Sequence, residues 1–426
     1  MRNRNTNSIM LKLFASRLVV LFVGFGLFPL LPVYAVQFGA TRSIVGVFFA
    51  IIYMSNALGS MLNGWLAERI SRRAIFIGFG LLGVPALLLL AQARELWQAI
   101  VLTSIVWFSG GIDLALISVF VSLNAKGKNL GKSFSLLSLT APLGSLVGGT
   151  VAGQLIAWQG FGSLFLVLSA IWALLPLIGV FGLRDVEPEE REQASGSVTQ
   201  EGVKLSGKYY LVLMVVMLAS ISISASRLGA PMMMQVQNFS PTEIATSATA
   251  SGLVTIPAIL LIGFLSNRMG NKSSLALGCL LGIGGAVTLN QAHQLWQYWL
   301  AATLMMAAFS SNGSMASALV AEILNPRTIN RGMSWINTFS TVGSIISYAG
   351  TGYVIDNFGS ATLFSGSIVM AAVAVAVLMI LSAIDNPLAI TMKQKVITAC
   401  KAASRIWGSK SERLENAASV PCAAGD

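Results

Sequence analysis

Long apolar stretches broken by short polar ones dominate the chain. A helix that crosses a bilayer needs about 20 mostly apolar residues. Twelve such stretches can be placed along the sequence. The first six run 14–37, 43–67, 73–92, 96–123, 132–157 and 162–183. The second six run 208–236, 242–266, 273–291, 295–321, 332–355 and 360–384. Continuous apolar runs replace any period-two alternation, which argues against strands. The expectation is an all-α membrane protein with twelve transmembrane helices. The polar remainder divides the chain into a tail over 1–13, a bundle over 14–183, a linker over 184–207, a bundle over 208–384 and a tail over 385–426. The linker holds Asp185, Glu187, Glu189 and Glu190 with Pro188 and Gly196, a flexible composition. In the last tail, Met392, Val396, Ala403 and Trp407 follow helical spacing, with Lys393, Lys401 and Lys410 largely off that stripe. That pattern predicts an amphipathic helix on a membrane surface; the plainer reading is a disordered basic tail.

The chain also resembles itself at an offset of about 199 residues. Gln92-Ala93-Arg94-Glu95-Leu96-Trp97-Gln98 returns as Gln291-Ala292-His293-Gln294-Leu295-Trp296-Gln297. Gly64 to Arg73 returns as Gly263 to Lys272, Gly144-Ser145 as Gly343-Ser344, and Gly153 as Gly352. Two homologous halves, each mostly apolar, point to two pseudo-symmetric six-helix bundles with a substrate site between them.

Composition agrees. The chain is 55% hydrophobic and 10% charged, against about 25% charged in soluble domains. Its net charge of +11 is scattered over short loops, so nucleic acid is not an expected partner. Arg69, Arg72, Arg73, Lys126, Lys128, Lys132, Arg268, Lys272, Arg327 and Arg331 fall on one side of the predicted topology. Arg42 and Arg94 fall on the other. The positive-inside rule then places both termini in the cytoplasm of a cell membrane, read as a bacterial inner membrane. Cys279, Cys400 and Cys422 are scattered and His293 is alone, so neither a metal site nor a cofactor is expected. No nucleophile and base pair, and no G-x-x-x-x-G-K-[ST] run, supports an enzyme or an ATP-driven machine.

Gly64-x-Leu66-Ala67-Glu68-Arg69-x-Ser71-Arg72-Arg73, between the second and third spans, resembles the signature loop of the major facilitator superfamily. Glu68 stands where the family has Asp, and Ser71 where it has a second Gly. The resemblance covers about residues 12–385 and implies the two-bundle fold and alternating access. Gly64 would permit close helix approach. Glu68 suits a helix N-terminus of the other half. Arg69, Arg72 and Arg73 suit pairing with carboxylates in a cytoplasmic gate, or serve only to set topology. The second-half copy places Arg268 and Lys272 near Glu322, predicting a charge cluster.

Asp113 lies well inside the fourth span. An acid there needs a wet cavity or a partner and is a functional candidate. It is read either as a site of proton or cation coupling or as a structural hydrogen bonder to Ser or backbone. Its repeat partner is Asn312. Arg227 is a cation within the seventh span; it either binds an anionic group or snorkels to the surface. Pro142, Gly144, Gly148, Gly149 and Gly153 are spaced for tight packing and partly resemble the Gly-Pro motif of the family's antiporters, with Ala141 in place of Gly. Many drug–proton antiporters of the family carry an Arg at the position of Val106 and an acid in the first span; both are missing here. Asn56, Trp107, Gln235, Asn312, Trp335 and Asn337 complete the candidate cavity lining. A Met- and aromatic-rich cavity suits an amphipathic compound, whereas an anion site would want more than one Arg. The leading expectation is export of a small amphipathic or hydrophobic compound, exchanged for protons, by a monomer in the bilayer. The alternatives are uptake or facilitated passage of a polar metabolite or organic anion, and a sensor with a transporter fold.

Overall fold

The structure, a computed structural model, describes residues 2–124, 136–183, 207–324 and 329–384. The linker up to residue 206, the tail from 385 with its expected amphipathic helix, and Lys126, Lys128, Lys132 and Arg327 lie outside them. Every described element is helical. In chain order they are α1 (Arg2–Leu27), α2 (Leu31–Gln37), α3 (Arg42–Arg69), α4 (Arg72–Leu90), α5 (Leu96–Asn124), α6 (Thr140–Trp172) and α7 (Leu174–Gly182). The second half follows as α8 (Gly207–Val236), α9 (Pro241–Met269), α10 (Asn271–Asn290), α11 (Leu295–Ile323), α12 (Ile329–Phe358) and α13 (Ser360–Ile384). Among the described residues, those up to 375 form one compact unit and 376–384 group apart from it.

Local chemistry sets the helix ends. The repeated heptapeptide is a helix start. Gln98 Oε1 accepts the N–H groups of Arg94 and Glu95 at the head of α5, at 2.9 and 3.3 Å. Gln297 does the same for His293 and Gln294 at the head of α11, at 2.7 and 2.9 Å, within a capping box. Thr41 caps α3, and Ser71 caps α4 by accepting the Ala74 N–H at 3.2 Å. Ser71 thus turns the departure from the family glycine into a helix cap.

One span boundary differs from expectation. The first helix begins at Arg2 and breaks after Leu27, so 14–37 is not one helix. Pro29 and Pro32 interrupt it because proline lacks the N–H a helix interior needs. The fifth and sixth spans meet at Gly160, whose φ of 75° only glycine adopts readily.

Among the described residues, nine stretches are long and apolar enough to cross a membrane. One of them, Leu136–Gly182, contains the fifth and sixth spans. Helices α9 and α12, of 29 and 30 residues, each rise about 45 Å and meet the other half of the protein. Helix α9 packs on α6, and α12 on α3. These two pairs are equivalents under the sequence repeat. The two-bundle arrangement of helices is therefore visible in its principal contacts.

Large buried side chains keep their polar tips satisfied, as a bilayer interior demands. Trp172 donates to the Gly80 carbonyl at 3.1 Å, Tyr34 to Leu90 at 2.7 Å and Tyr209 to Gly332 at 2.9 Å. Phe181, Met61 and Leu81 are exposed apolar side chains that lipid would cover.

Candidate functional site

One end of the bundle is sealed between the halves. At the head of α3, Asp356 of α12 accepts the Ser43 N–H at 2.8 Å and the Ser43 hydroxyl at 2.6 Å, and pairs with Arg42 at 3.3 Å. The carboxylate occupies the positive end of α3, where free N–H groups await a partner. Asp356 lies just past the eleventh span. Burial raises its carboxyl pKa, but the bonds from Ser43 and the charge of Arg42 outweigh that and hold it below the ordinary carboxylate range. Beneath the latch the backbones touch. A Cβ on Gly46 would sit 2.6 Å from the Tyr348 carbonyl, and one on Gly352 would strike the Arg42 carbonyl.

The repeat-equivalent crossing lies between α6 and α9. A Cβ on Gly149 would sit 2.8 Å from the Thr249 nitrogen, and one on Gly153 would sit 3.1 Å from Ala245. Ser145 donates to the Ala248 carbonyl at 2.8 Å, and Thr242 to the Gly153 carbonyl at 3.3 Å. Gly144 and Gly148 instead meet α1 near Phe22. The buried Pro142 lies on the same helix, its carbonyl against Gly252 of α9. The helix-packing set thus serves two contacts, one within the first half and one between halves.

Below this seal lies a cavity of about 260 Å³. Its wall carries Phe25, Phe28, Tyr53, Trp107, Trp172 and Phe309, rings from both halves. Tyr53 meets Tyr348 at 4.5 Å with the rings tilted by 53°, and Phe28 meets Phe49 edge-on at 5.2 Å. Arg227 places its guanidinium 4.7 Å above Phe28 and 4.8 Å from Phe309. Of the expected lining, Asn56, Trp107 and Arg227 reach this wall. Asn56 donates to the Trp107 carbonyl at 3.0 Å, tying α3 to α5. Arg227 points inward and does not snorkel, because its neighbours are the rings of α1 and α11.

The other expected residues are elsewhere. Gln235, Asn312, Trp335 and Asn337 line neither of the two cavities that meet at Arg227. Asn312 is buried between α8 and α11 and donates to Ser220 at 3.1 Å. Trp335 is exposed beside Phe339, and Asn337 is exposed. Asp113 is fully buried but is not in the cavity wall, and neither of its oxygens receives a hydrogen bond from the described residues. Ser109, one turn away, is equally buried and unbonded, so the expected bond to a serine is not made.

The gate residues also differ from expectation. Among the described residues, no other segment comes within 4 Å of a Cβ on Gly64. Glu68 and Arg69 are exposed, and Arg69 lies 3.9 Å over its own helix's Trp65. Arg72 is buried. Arg73 donates to the carbonyls of Gly179 at 3.1 Å and Val180 at 2.6 Å, closing the end of α7 within its own half. Arg268 is exposed over Phe264 and Lys272 is half-buried. Glu322 accepts from Asn271 at 2.6 Å. The latch between the halves is instead Arg42–Asp356, at the opposite end. Sequence reading noted Arg42 only as an exception to the charge asymmetry, and Asp356 not at all. Arg17, by sequence only part of the basic start of the chain, also lies in the cavity wall, its Nε buried and without a hydrogen bond among the described residues. The available signal was a cation within the predicted span 14–37.

Known proteins share this architecture. A family model described as Major Facilitator Superfamily matches residues 13–213 and again 212–408. The Multidrug resistance protein MdtG of Salmonella arizonae is 21% identical over 332 residues, which cover 74% of this chain and 81% of that protein. The protein of the same name from Citrobacter koseri is 22% identical over 333 residues, covering 74% and 80%. Among solved structures, the nucleoside transporter NupG aligns with a TM-score of 0.70 at 15% identity, over 89% of this chain and 99% of its own. A bacterial homologue of the human lysosomal transporter Spinster, inward-facing and occupied, aligns with a TM-score of 0.65 at 13% identity, over 89% and 97%. At these identities the structural likenesses carry the fold alone. Two successive family matches fall on the two halves that the internal repeat marks out, and this multi-pass membrane protein belongs to the Major Facilitator Superfamily of transporters.

Proposed function

We propose that this chain is a secondary transporter that exports a small amphipathic compound by alternating access. The observation that carries the reading is the ring-lined cavity between the halves, sealed at one end by the latch. Such a wall binds apolar and aromatic bodies, and a site between two halves changes its exposure when they rock. The charge asymmetry supports a cytoplasmic Glu68 end and an outer Arg42 end. The relatives named multidrug resistance proteins support efflux. Asp113 is the proposed coupling group: a buried acid with no bonded partner needs a proton or cation to accompany its charge. The test is substrate-driven proton flux in proteoliposomes holding the full chain. Outward movement of an amphipathic compound with counter-movement of protons is expected, and Asp113→Asn should keep substrate binding while uncoupling the proton. Transport that remains proton-coupled in that variant refutes the role of Asp113; failure of any amphipathic compound to move refutes the reading as a whole.

A further inference from the structure

Two cavities meet at one guanidinium. Arg227 lines the aromatic cavity and also a smaller one of about 60 Å³ between α6, α8 and α9. The smaller wall is chemically different, with the hydroxyls of Ser145, Ser226, Ser247 and Ser251. Ser145 and Ser251 each donate to the Ala248 carbonyl at 2.8 Å, and Ser247 to the Ile244 carbonyl at 2.7 Å. Ser226 is different: it is fully buried and its Oγ has no hydrogen-bond partner among the described residues. It immediately precedes Arg227. The Arg227 guanidinium has ring contacts at 4.7, 4.8 and 5.6 Å, but no hydrogen bond or ion pair among the described residues. A cation in this position is costly without a counter-charge, and ring faces offset only part of that cost. No carboxylate lines either cavity. Arg17 adds a second positive charge further along α1, about 12–16 Å from Phe25 and Phe28 by helical rise.

A planar fork of N–H donors beside a spare hydroxyl is a donor set for a compact oxyanion. The small cavity, at about 60 Å³, has room for such a compact group. We infer that Arg227 and Ser226 bind the anionic head of an amphipathic substrate, a carboxylate, sulfonate or phosphonate, while its aromatic or apolar body fills the larger cavity. This rests on the transport reading above and narrows its substrate class.

The experiment compares naphthalene-1-carboxylate with 1-naphthamide, equal in shape and different in charge, by calorimetric titration of the full chain in lipid nanodiscs. The carboxylate should bind at least about tenfold tighter at low salt, the worth of one charged contact. Arg227→Gln should erase that preference and leave the amide within about twofold. Ser226→Ala should weaken the carboxylate by about tenfold or more, the worth of one hydrogen bond to a charged group. Equal affinities in the unaltered protein, or a preference that survives Arg227→Gln, overturn the inference. The comparison in the unaltered protein decides even where the variant fails to fold. Proteoliposome flux separates the two readings. If tetraphenylphosphonium moves while the carboxylate has no advantage, transport stands and the anionic head falls. If no amphipathic compound moves, both fall.

Discussion

Removing the Asp356 carboxylate should open the sealed end. Asp356→Ala deletes three contacts at once: the Arg42 pair at 3.3 Å and the bonds from Ser43 at 2.8 and 2.6 Å. An exposed ion pair contributes about 0.2–1 kcal/mol. Hydrogen bonds to a charged group contribute about 1.5–3 kcal/mol, and solvent at this exposed site reduces that. The side chains of Arg42 and Asp356 are 42% and 25% exposed, so the sum is about 1–2 kcal/mol. That is a shift of about 5- to 30-fold in the ratio of open to sealed protein. Spin labels on Arg94→Cys and His293→Cys report it, since these exposed residues are repeat equivalents in the two halves. With Cys279, Cys400 and Cys422 replaced, double electron–electron resonance should show a second, longer distance growing in Asp356→Ala. The pH dependence follows from the lowered carboxyl pKa. The latch contributes fully above the ordinary carboxylate range and is lost only as pH falls through the lowered folded value. The distance distribution of the labelled parent should therefore not change between about pH 8 and about pH 5. An unchanged distribution in Asp356→Ala at neutral pH would refute the reasoning.

Other perturbations separate the roles of neighbouring residues. Gly352→Val should prevent the close approach of α12 to α3, because its side chain meets the Arg42 backbone; alkylation of a cysteine placed at Tyr53 should become faster from the Arg42 side. Arg73→Ala should lower the thermal stability of the detergent-solubilised protein, by about 1–3 kcal/mol for two lost bonds to helix-end carbonyls, whereas Glu68→Gln should leave it unchanged. Trp107→Ala removes a ring from the cavity wall and should weaken binding of an aromatic substrate by about tenfold or more, read by calorimetry, without changing the latch distances.

Much of the architecture is local and was legible in the chain. Apolar length set the helical class, and the repeated heptapeptide marked equivalent helix starts because Gln98 and Gln297 cap within their own segments. The interruptions at Pro29 and Gly160 were also available as local signals, although helix boundaries drawn from hydropathy ran across the first. The signature loop around Glu68 identified the family, yet not the place where the halves hold together. Which polar residues share a cavity depends on the rotation of each helix, about 100° per residue, and on how the two halves cross. That is why Arg17 and Arg227 reach the wall while the buried Asn312 and Asp113 turn away from it. The latch joins Arg42 and Ser43 to Asp356, over 300 residues distant along the chain. No periodicity records such a pair, because its energy exists only after both halves have folded and α3 has come to rest against α12.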